Sequence, residues 1–496
     1  REVAADIVSK LEVSDLCEPP EIAGPGFINF RLRDAVLAQA VTDQLADPYA
    51  GVTQTSRPQV VVIDYSSPNV AKQMHVGHLR STVIGDCLRR VIGGVGHHVI
   101  AQSHIGDWGT QFGMLVEQIL DEGIDPSTLT LPEAEELYAR ASAHFRADQD
   151  FAERARRRVV ALQSGDELTR TIWRELINIS LAGFNAAYQR MGVLLTDDDL
   201  AGESSYNNDL PALVAELERN GTAVIDDGAL CVFAEGFAAP MIVRKSDGGF
   251  GYSATDLAAI RHRVRDLHAN RIIYVVDARQ SDHFDLVFAV ARKAGFLPDD
   301  VITEHVAFGT VLGTDGKPFK TREGTAVNLN TLLDAAEEQA APPVALAAIK
   351  YADLSNGLNK DYVFDIGRMV QTTGNTGPYL QYAHARVTQV LRKGAARGHG
   401  EQSKVLVLDE PAEQMLALLL IRFGDVVDEV ARTLQPHRLC NYLYELSGAL
   451  AVFYEQCPVL QSSGDVRDSR LALCLATKRV LAAGLTMLGI EPLERM

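Results

Sequence analysis

Cysteine is scarce in this 496-residue chain, and its six copies (Cys17, Cys87, Cys231, Cys440, Cys457, Cys474) never form a Cys-x-x-Cys pair. That spacing excludes a zinc ribbon or a secreted disulfide framework and leaves buried thiols in a reducing cytoplasm as the expectation. Long apolar runs are missing too. No stretch reaches the roughly 20 residues a helix needs to cross a bilayer, so no membrane association is expected. A net positive charge is also lacking: 47 Lys and Arg face 65 Asp and Glu, a formal charge of −18. Taken alone, that balance argues against a surface built to coat nucleic acid. The deficit is uneven. From Pro378 to Met496, 13 basic residues match 13 acidic ones, so the whole acidic excess lies in residues 1–377. The C-terminal quarter is the better place for a polyanion. The start, Arg1-Glu2-Val3-Ala4, has neither an initiator Met nor a signal pattern, so the sequence is expected to begin inside a longer chain.

What is present points to an α/β protein with several domains. Residues 1–34 read as a helix (Val3–Leu11), a Pro19-Pro20 break and an alternating strand, Gly26 to Leu32, the end of a small α+β domain. An amphipathic linker, residues 35–56, leads to Val60-Val61-Val62-Ile63, a continuous β-branched run of the kind buried in a parallel sheet. A Rossmann-like domain over 57–345 is expected there. Its further strands lie at Val99–Gln102 and Ile272–Val276, and its helices start at His75 and span Asp282–Ala294. Residues of about 121–240 are too many for one crossover and carry three helical patterns (Glu133–Phe145, Phe151–Gln163, Thr169–Met191), so they form an insertion. Beyond Ala335 strand signals fade. Periodic Leu and Ala stretches at Ala412–Leu434 and Leu439–Tyr454 predict an all-α bundle over 346–496, with Gly394–Gln402 as a loop.

The chemistry gathers after the first strand, in Asp64-Tyr65-Ser66-Ser67-Pro68-Asn69-Val70-Ala71-Lys72-Gln73-Met74-His75-Val76-Gly77-His78. This is the carboxyl end of a strand, where open parallel sheets bind ligands. Two imidazoles three apart, a glycine that lets a ligand approach the backbone, and a helix N-terminus together suit a nucleotide phosphate. A second glycine-flanked loop, Gly309 to Gly324, places Lys317, Lys320 and Arg322 within six positions, a pattern suited to closing over pyrophosphate.

The first segment resembles the His-x-Gly-His signature of class I aminoacyl-tRNA synthetases, and in full it is similar to the arginyl-tRNA synthetase form. The resemblance continues through His104 to Gly113, Tyr252 to Asp256 and Val275 to Phe284, and runs on to Leu485–Met496. It implies ligation driven by ATP and Mg²⁺: arginine is activated to arginyl-adenylate, then transferred to the terminal adenosine of tRNA(Arg). Two alternatives stand beside it, another nucleotidyl transferase of the same superfamily and an RNA-binding relative without catalysis. By resemblance, His75, His78, Lys72, Lys317 and Lys320 are catalytic. ATP falls to His75, Gly77, His78, His305, Phe308 and Lys320, and arginine to Asp64, Ser67, Asn69, Tyr252, Asp256 and Gln280.

The loop at 309–324 resembles a degenerate Lys-Met-Ser-Lys-Ser signature, in either of two frames. One aligns Lys317 and Lys320 with the two signature lysines. The other places Thr321-Arg322 at the end of the motif and leaves the second lysine missing, in which case Lys72 is expected to supply that cation. Tyr379, Tyr382 and Arg386 are expected to touch tRNA by stacking on unpaired bases. The Arg154, Arg156, Arg157 and Arg158 face is expected to be solvated surface, and Tyr442, Tyr444, Phe453 and Tyr454 to fill the bundle core. A monomer is expected, and no protein metal site.

Overall fold

The computed structural model describes residues 1–246, 248–319, 327–400 and 402–496. Two compact units emerge. One joins residues 55–342 to 356–366; the other joins 1–54, 343–355 and 367–496. The division differs from the 57–345 and 346–496 boundaries expected above, and backbone pairing is the reason. Val311–Leu312 pairs in parallel with Tyr362–Val363, and the Asp361 carboxylate accepts the Thr310 N–H at 2.6 Å.

The first unit is built on a four-stranded parallel sheet. Its central strand, Val60–Asp64, lies between His98–Gln102 and Arg271–Tyr274, and Ile302–His305 adds an edge. Val61, Val62 and Ile63 are wholly buried. Covered on both faces, they need apolar side chains at every position, which is why the run is continuous rather than alternating. One face packs on the helices Tyr252–Arg265 and Ser281–Lys293 through Leu257, Ile260, Phe284 and Val287.

The segment between the second and third strands holds helices Thr110–Glu122, Leu131–Ala147, Gln149–Ser164, Glu167–Met191 and Leu210–Arg219. A three-stranded antiparallel sheet follows them (Val224–Asp226, Ala229–Val232, Met241–Arg244). The three expected helices are there. The small sheet and the edge strand were not foreseen. Helices Thr110–Glu122, Leu131–Ala147 and Glu167–Met191 share a core of Phe112, Leu115, Ile119, Leu137, Ile172 and Leu176, whereas Leu210–Arg219 packs into the core of the parallel sheet.

The second unit is helical apart from the hairpin of Glu21–Ala23 with Phe27–Asn29. Its long helices are Gly377–Ala396, His437–Gln456 and Gly464–Met487. The stretch expected as one period from Ala412 to Leu434 is two helices, Pro411–Ile421 and Phe423–Thr433. Gly394 belongs to a helix, so the loop starts later than expected. Among the described residues, no helix is long and apolar enough to cross a membrane. All six cysteines are buried.

Candidate active site

The chain leaves the central strand at Asp64 and crosses to the helix Val76–Gly94 through a strained loop. Ser66, Ser67 and Ala71 have φ of 70°, 43° and 60°, a left-handed conformation that costs non-glycine residues of order 1–3 kcal/mol each. Neighbouring groups hold it. Ser66 N–H donates to Ser81 Oγ (2.8 Å), Ser66 Oγ meets Tyr188 OH (2.7 Å), and Ala71 N–H donates to Ser180 Oγ (2.9 Å). Gly106 lies so close that a Cβ there would fall 2.2 Å from Asn69 Oδ1.

The loop ends in two imidazoles that cap the helix reciprocally. His75 Nδ1 accepts the Gly77 N–H at 3.0 Å, and His78 Nδ1 accepts the His75 N–H at 3.1 Å. Their centroids are 4.0 Å apart. With each Nδ1 accepting a backbone proton, the ring proton of the neutral form sits on Nε2, leaving both rings as donors. Burial, with Lys72 nearby, lowers the His75 pKa, and burial, His75 and Lys72 lower that of His78 to about 3. Both rings are therefore neutral at physiological pH. A Cβ on Gly77 would lie 2.8 Å from the His75 ring, so the cap requires glycine there.

Lys72 lies just before the cap, its ammonium 4.1 Å from the Tyr138 ring centroid, a cation–π position. Gln73 beside it donates to Glu135 (2.8 Å) and accepts from Asn328 (2.7 Å), while Val76 N–H donates to Val327 O. The segment after the second loop is thus tied to the signature.

The residues expected for arginine sit in four places. Asp64 is buried, its Oδ2 accepting from Arg263 at 2.6 Å and its Oδ1 from Ser67 Oγ at 2.9 Å. Asn69 is exposed beside Gly106. Asp256 accepts from, or is ion-paired with, His283 Nε2 at 2.8 Å, and the Tyr252 ring, 67% exposed, is tilted against the same imidazole at 5.1 Å. Gln280 is exposed at the N-cap of the helix Ser281–Lys293.

Glu203 and Asp107 join this region without having been singled out from sequence. Burial and the charges of Asp107 and Asp256 raise Glu203 to about 7. Burial raises Asp107 as well, although Ser204 donates to it from N–H and Oγ. Glu203 therefore lies in the negative field of both Asp107 and Asp256. Each is an isolated acid in sequence, and only the fold brings them together.

His305 Nε2 contacts Val276 O at 3.1 Å and its Nδ1 faces Ser281 Oγ at 3.3 Å. Phe308 is buried, its carbonyl accepting the Ala278 N–H. Arg80, 1% exposed, donates to Gly309 O (2.8 Å) and Lys360 O (3.2 Å), fixing the base of the second loop. Lys317 is exposed in the hairpin closed by Gly313 N–H to Lys317 O (2.8 Å). Lys320, Thr321, Arg322, Glu323 and Gly324 lie outside the described residues.

In the helical unit Tyr379, Tyr382 and Arg386 line one pocket with Leu450, Tyr454 and Cys474. Arg386 stacks on Tyr454 at 4.0 Å. Tyr442 and Phe453 are buried as expected, but Tyr444 and Tyr454 are 39% and 40% exposed. Tyr454 lines the pocket and Tyr444 stands edge-on to Tyr379 at 5.7 Å, so neither belongs to the core. On the insertion, Arg154 and Arg158 are ion-paired with Glu117 of the neighbouring helix, so that part of the basic face holds helices together.

Comparison with known proteins gives the family. A model described as tRNA synthetases class I (R), catalytic domain, matches residues 40–344. The DALR anticodon binding domain matches 380–496, and the arginyl tRNA synthetase N terminal domain matches 1–32. An arginine–tRNA ligase of Cutibacterium acnes is 65% identical, over 100% of this chain and 91% of its own length. One of Frankia casuarinae is 52% identical, over 96% of this chain and 86% of its own length. Among solved structures, the arginyl-tRNA synthetase of Plasmodium falciparum superposes with a TM-score of 0.86 at 28% identity, covering 100% of this chain and 89% of that one. The Thermus thermophilus arginyl-tRNA synthetase gives 0.82 at 26%, covering 100% and 91%. With a strained strand-to-helix crossing and a histidine-capped helix in one unit, and with these matches along its length, the chain belongs to the arginyl-tRNA synthetase family of class I.

Proposed function

We propose that this arginine–tRNA ligase binds ATP across the N-terminus of the helix Val76–Gly94 and arginine between Asn69 and the Asp256 group. The arginine carboxylate attacks the α-phosphorus, the bond to the β-phosphate oxygen breaks, and pyrophosphate leaves. A hydroxyl of the tRNA terminal ribose then attacks the arginyl carbonyl, and AMP departs with the bonding electrons. The observation that carries this reading is the reciprocal histidine cap. It presents two neutral Nε2–H donors, preset by the backbone, where phosphate charge grows, so stabilisation needs no reorganisation. Lys72 supplies a mobile cation once it leaves the Tyr138 ring, and Lys317 and Lys320 reach the leaving phosphates from the second loop.

At the amino-acid end, Asp256 and Glu203 pair with the guanidinium, with Tyr252 over it and Gln280 at the rim. Asp64, Ser67 and Asn69 take the α-amino end. Among the described residues no group of three or more His, Cys, Asp or Glu is arranged to hold a metal ion. Mg²⁺ is proposed to arrive on the triphosphate, where it screens charge. Tyr379, Tyr382 and Arg386 are proposed to hold an unpaired tRNA base.

Asp256→Asn tests the pocket. Losing a carboxylate partner of a buried cation costs roughly 3–5 kcal/mol, so the KM for arginine should rise steeply and the preference over uncharged citrulline should narrow. Unchanged arginine affinity in a folded variant moves Asp256 out of the pocket.

A further inference from the structure

The helix Tyr252–Arg265 carries Arg261, Arg263 and Arg265. The outer two pair with Glu216, whereas the side chain of Arg263 turns inward and is 0% exposed. Its Nη2 donates to Asp64 Oδ2 and its Nε to Gln102 Oε1, both at 2.6 Å, and its guanidinium lies 4.9 Å from the Tyr274 ring centroid. Asp64, Gln102 and Tyr274 are the last residues of three adjacent strands, paired in register. A guanidinium belonging to the protein is therefore built into the ligand-binding edge of the sheet, in an enzyme whose substrate is itself a guanidinium.

The reaction requires arginine in one direction, carboxylate toward the phosphate and side chain away from it. Arginine has two cationic ends. A guanidinium is held best by a carboxylate that offers both oxygens side by side, whereas an ammonium needs only one. With Oδ2 taken by Arg263 and Oδ1 receiving Ser67 Oγ, Asp64 has no free fork. Among the described residues, the Asp256 carboxylate pairs with His283 and with no guanidinium.

We propose that Arg263 is a specificity-determining positioning residue: by filling Asp64 with the protein's own guanidinium, it denies that carboxylate to the substrate side chain and makes arginine bind in the productive direction only. The inference rests on the pocket proposed above. Freeing Asp64 should admit a reversed arginine that occupies the site without reacting. Such non-productive binding lowers kcat and KM by one factor and leaves kcat/KM in place. A damaged fold does not do this, because it lowers kcat or raises KM.

The test is arginine-dependent ATP–pyrophosphate exchange in Arg263→Met, Arg263→Lys and the double variant Asp64→Asn/Arg263→Met, with active sites counted by burst titration. In Arg263→Met, kcat and the arginine KM should fall together, by about tenfold, with kcat/KM within about threefold of the wild type. Arg263→Lys, whose ammonium still covers Oδ2, should keep the wild-type KM, and in the double variant kcat and KM should no longer fall together, the KM rising instead because Asp64 also meets the α-amino group. A reduced kcat at unchanged or increased KM in Arg263→Met overturns the proposal. If Arg263→Met does not fold, Arg263→Gln, which removes the charge but keeps a donor, takes the same measurement and the same two outcomes decide. Asp256→Asn, run alongside, separates the two claims. An unchanged arginine KM there defeats the pocket itself, whereas a raised one with no joint fall in Arg263→Met defeats only the role of Arg263.

Discussion

In the proposed mechanism His75 and His78 work as fixed donors rather than as acids, since the helix end they cap imposes the tautomer. Removing one donor aimed at transition-state charge typically costs roughly 3–4 kcal/mol. His78→Ala should accordingly slow single-turnover adenylate formation by a factor of a hundred or more, with arginine affinity nearly unchanged. An unaltered single-turnover rate would remove the imidazole from the chemistry. Glu203 is a titrating group of the proposed arginine pocket. Its pKa, raised by burial and by Asp107 and Asp256 to about 7, exceeds the ordinary 4.5, so the fold loses stability as the pH rises through that interval and an uncompensated carboxylate forms. Arginine supplies the missing positive charge. Its KM should fall between pH 6 and pH 8, and its thermal stabilisation of the enzyme should grow over the same range. Glu203→Gln should flatten both; persistence of either slope assigns the titration elsewhere. Neither Glu203 nor Arg263 is legible in the sequence. Glu203 is a lone acid between turns, and Arg263 sits in an alternating Arg261, Arg263, Arg265 series that reads as solvated surface.

The central strand and the helix behind it were readable because burial on both faces writes an unbroken Val60–Ile63 run and because the histidine signature marks a helix start. The edge strand Ile302–His305 was not. It is only partly buried and carries Thr303 and Glu304, so it lacks both the continuous and the alternating pattern. The antiparallel strands between 224 and 244 are three or four residues long, too short for a period to register. What links these elements into a site is close approach between loops, most tightly at Gly106 and Asn69. Gly106→Ala should displace Asn69 and raise the arginine KM by about tenfold, since overpacking typically costs 1–3 kcal/mol, while leaving the ATP KM almost unchanged. Equal changes in both would indicate a general distortion of the crossing.

Across the whole molecule, the charge distribution and the two units tell one story. The acidic excess belongs to residues 1–377, where Glu203 lies in the field of Asp107 and Asp256, whereas the balanced C-terminal helices carry the aromatic and arginine pocket of Tyr379, Tyr382 and Arg386. Stacking on a base is worth roughly 1–3 kcal/mol, so Tyr382→Ala should raise the KM for tRNA about tenfold in the charging reaction, with amino-acid activation spared. The central claim, that the unit bearing the histidine cap activates arginine and no other amino acid, is tested most directly by ATP–pyrophosphate exchange with each of the twenty amino acids in turn, with and without tRNA. The account predicts exchange with arginine alone, abolished in the His75→Ala/His78→Ala double variant. Exchange supported by a different amino acid, or arginine-dependent exchange that survives the loss of both imidazoles, would contradict it.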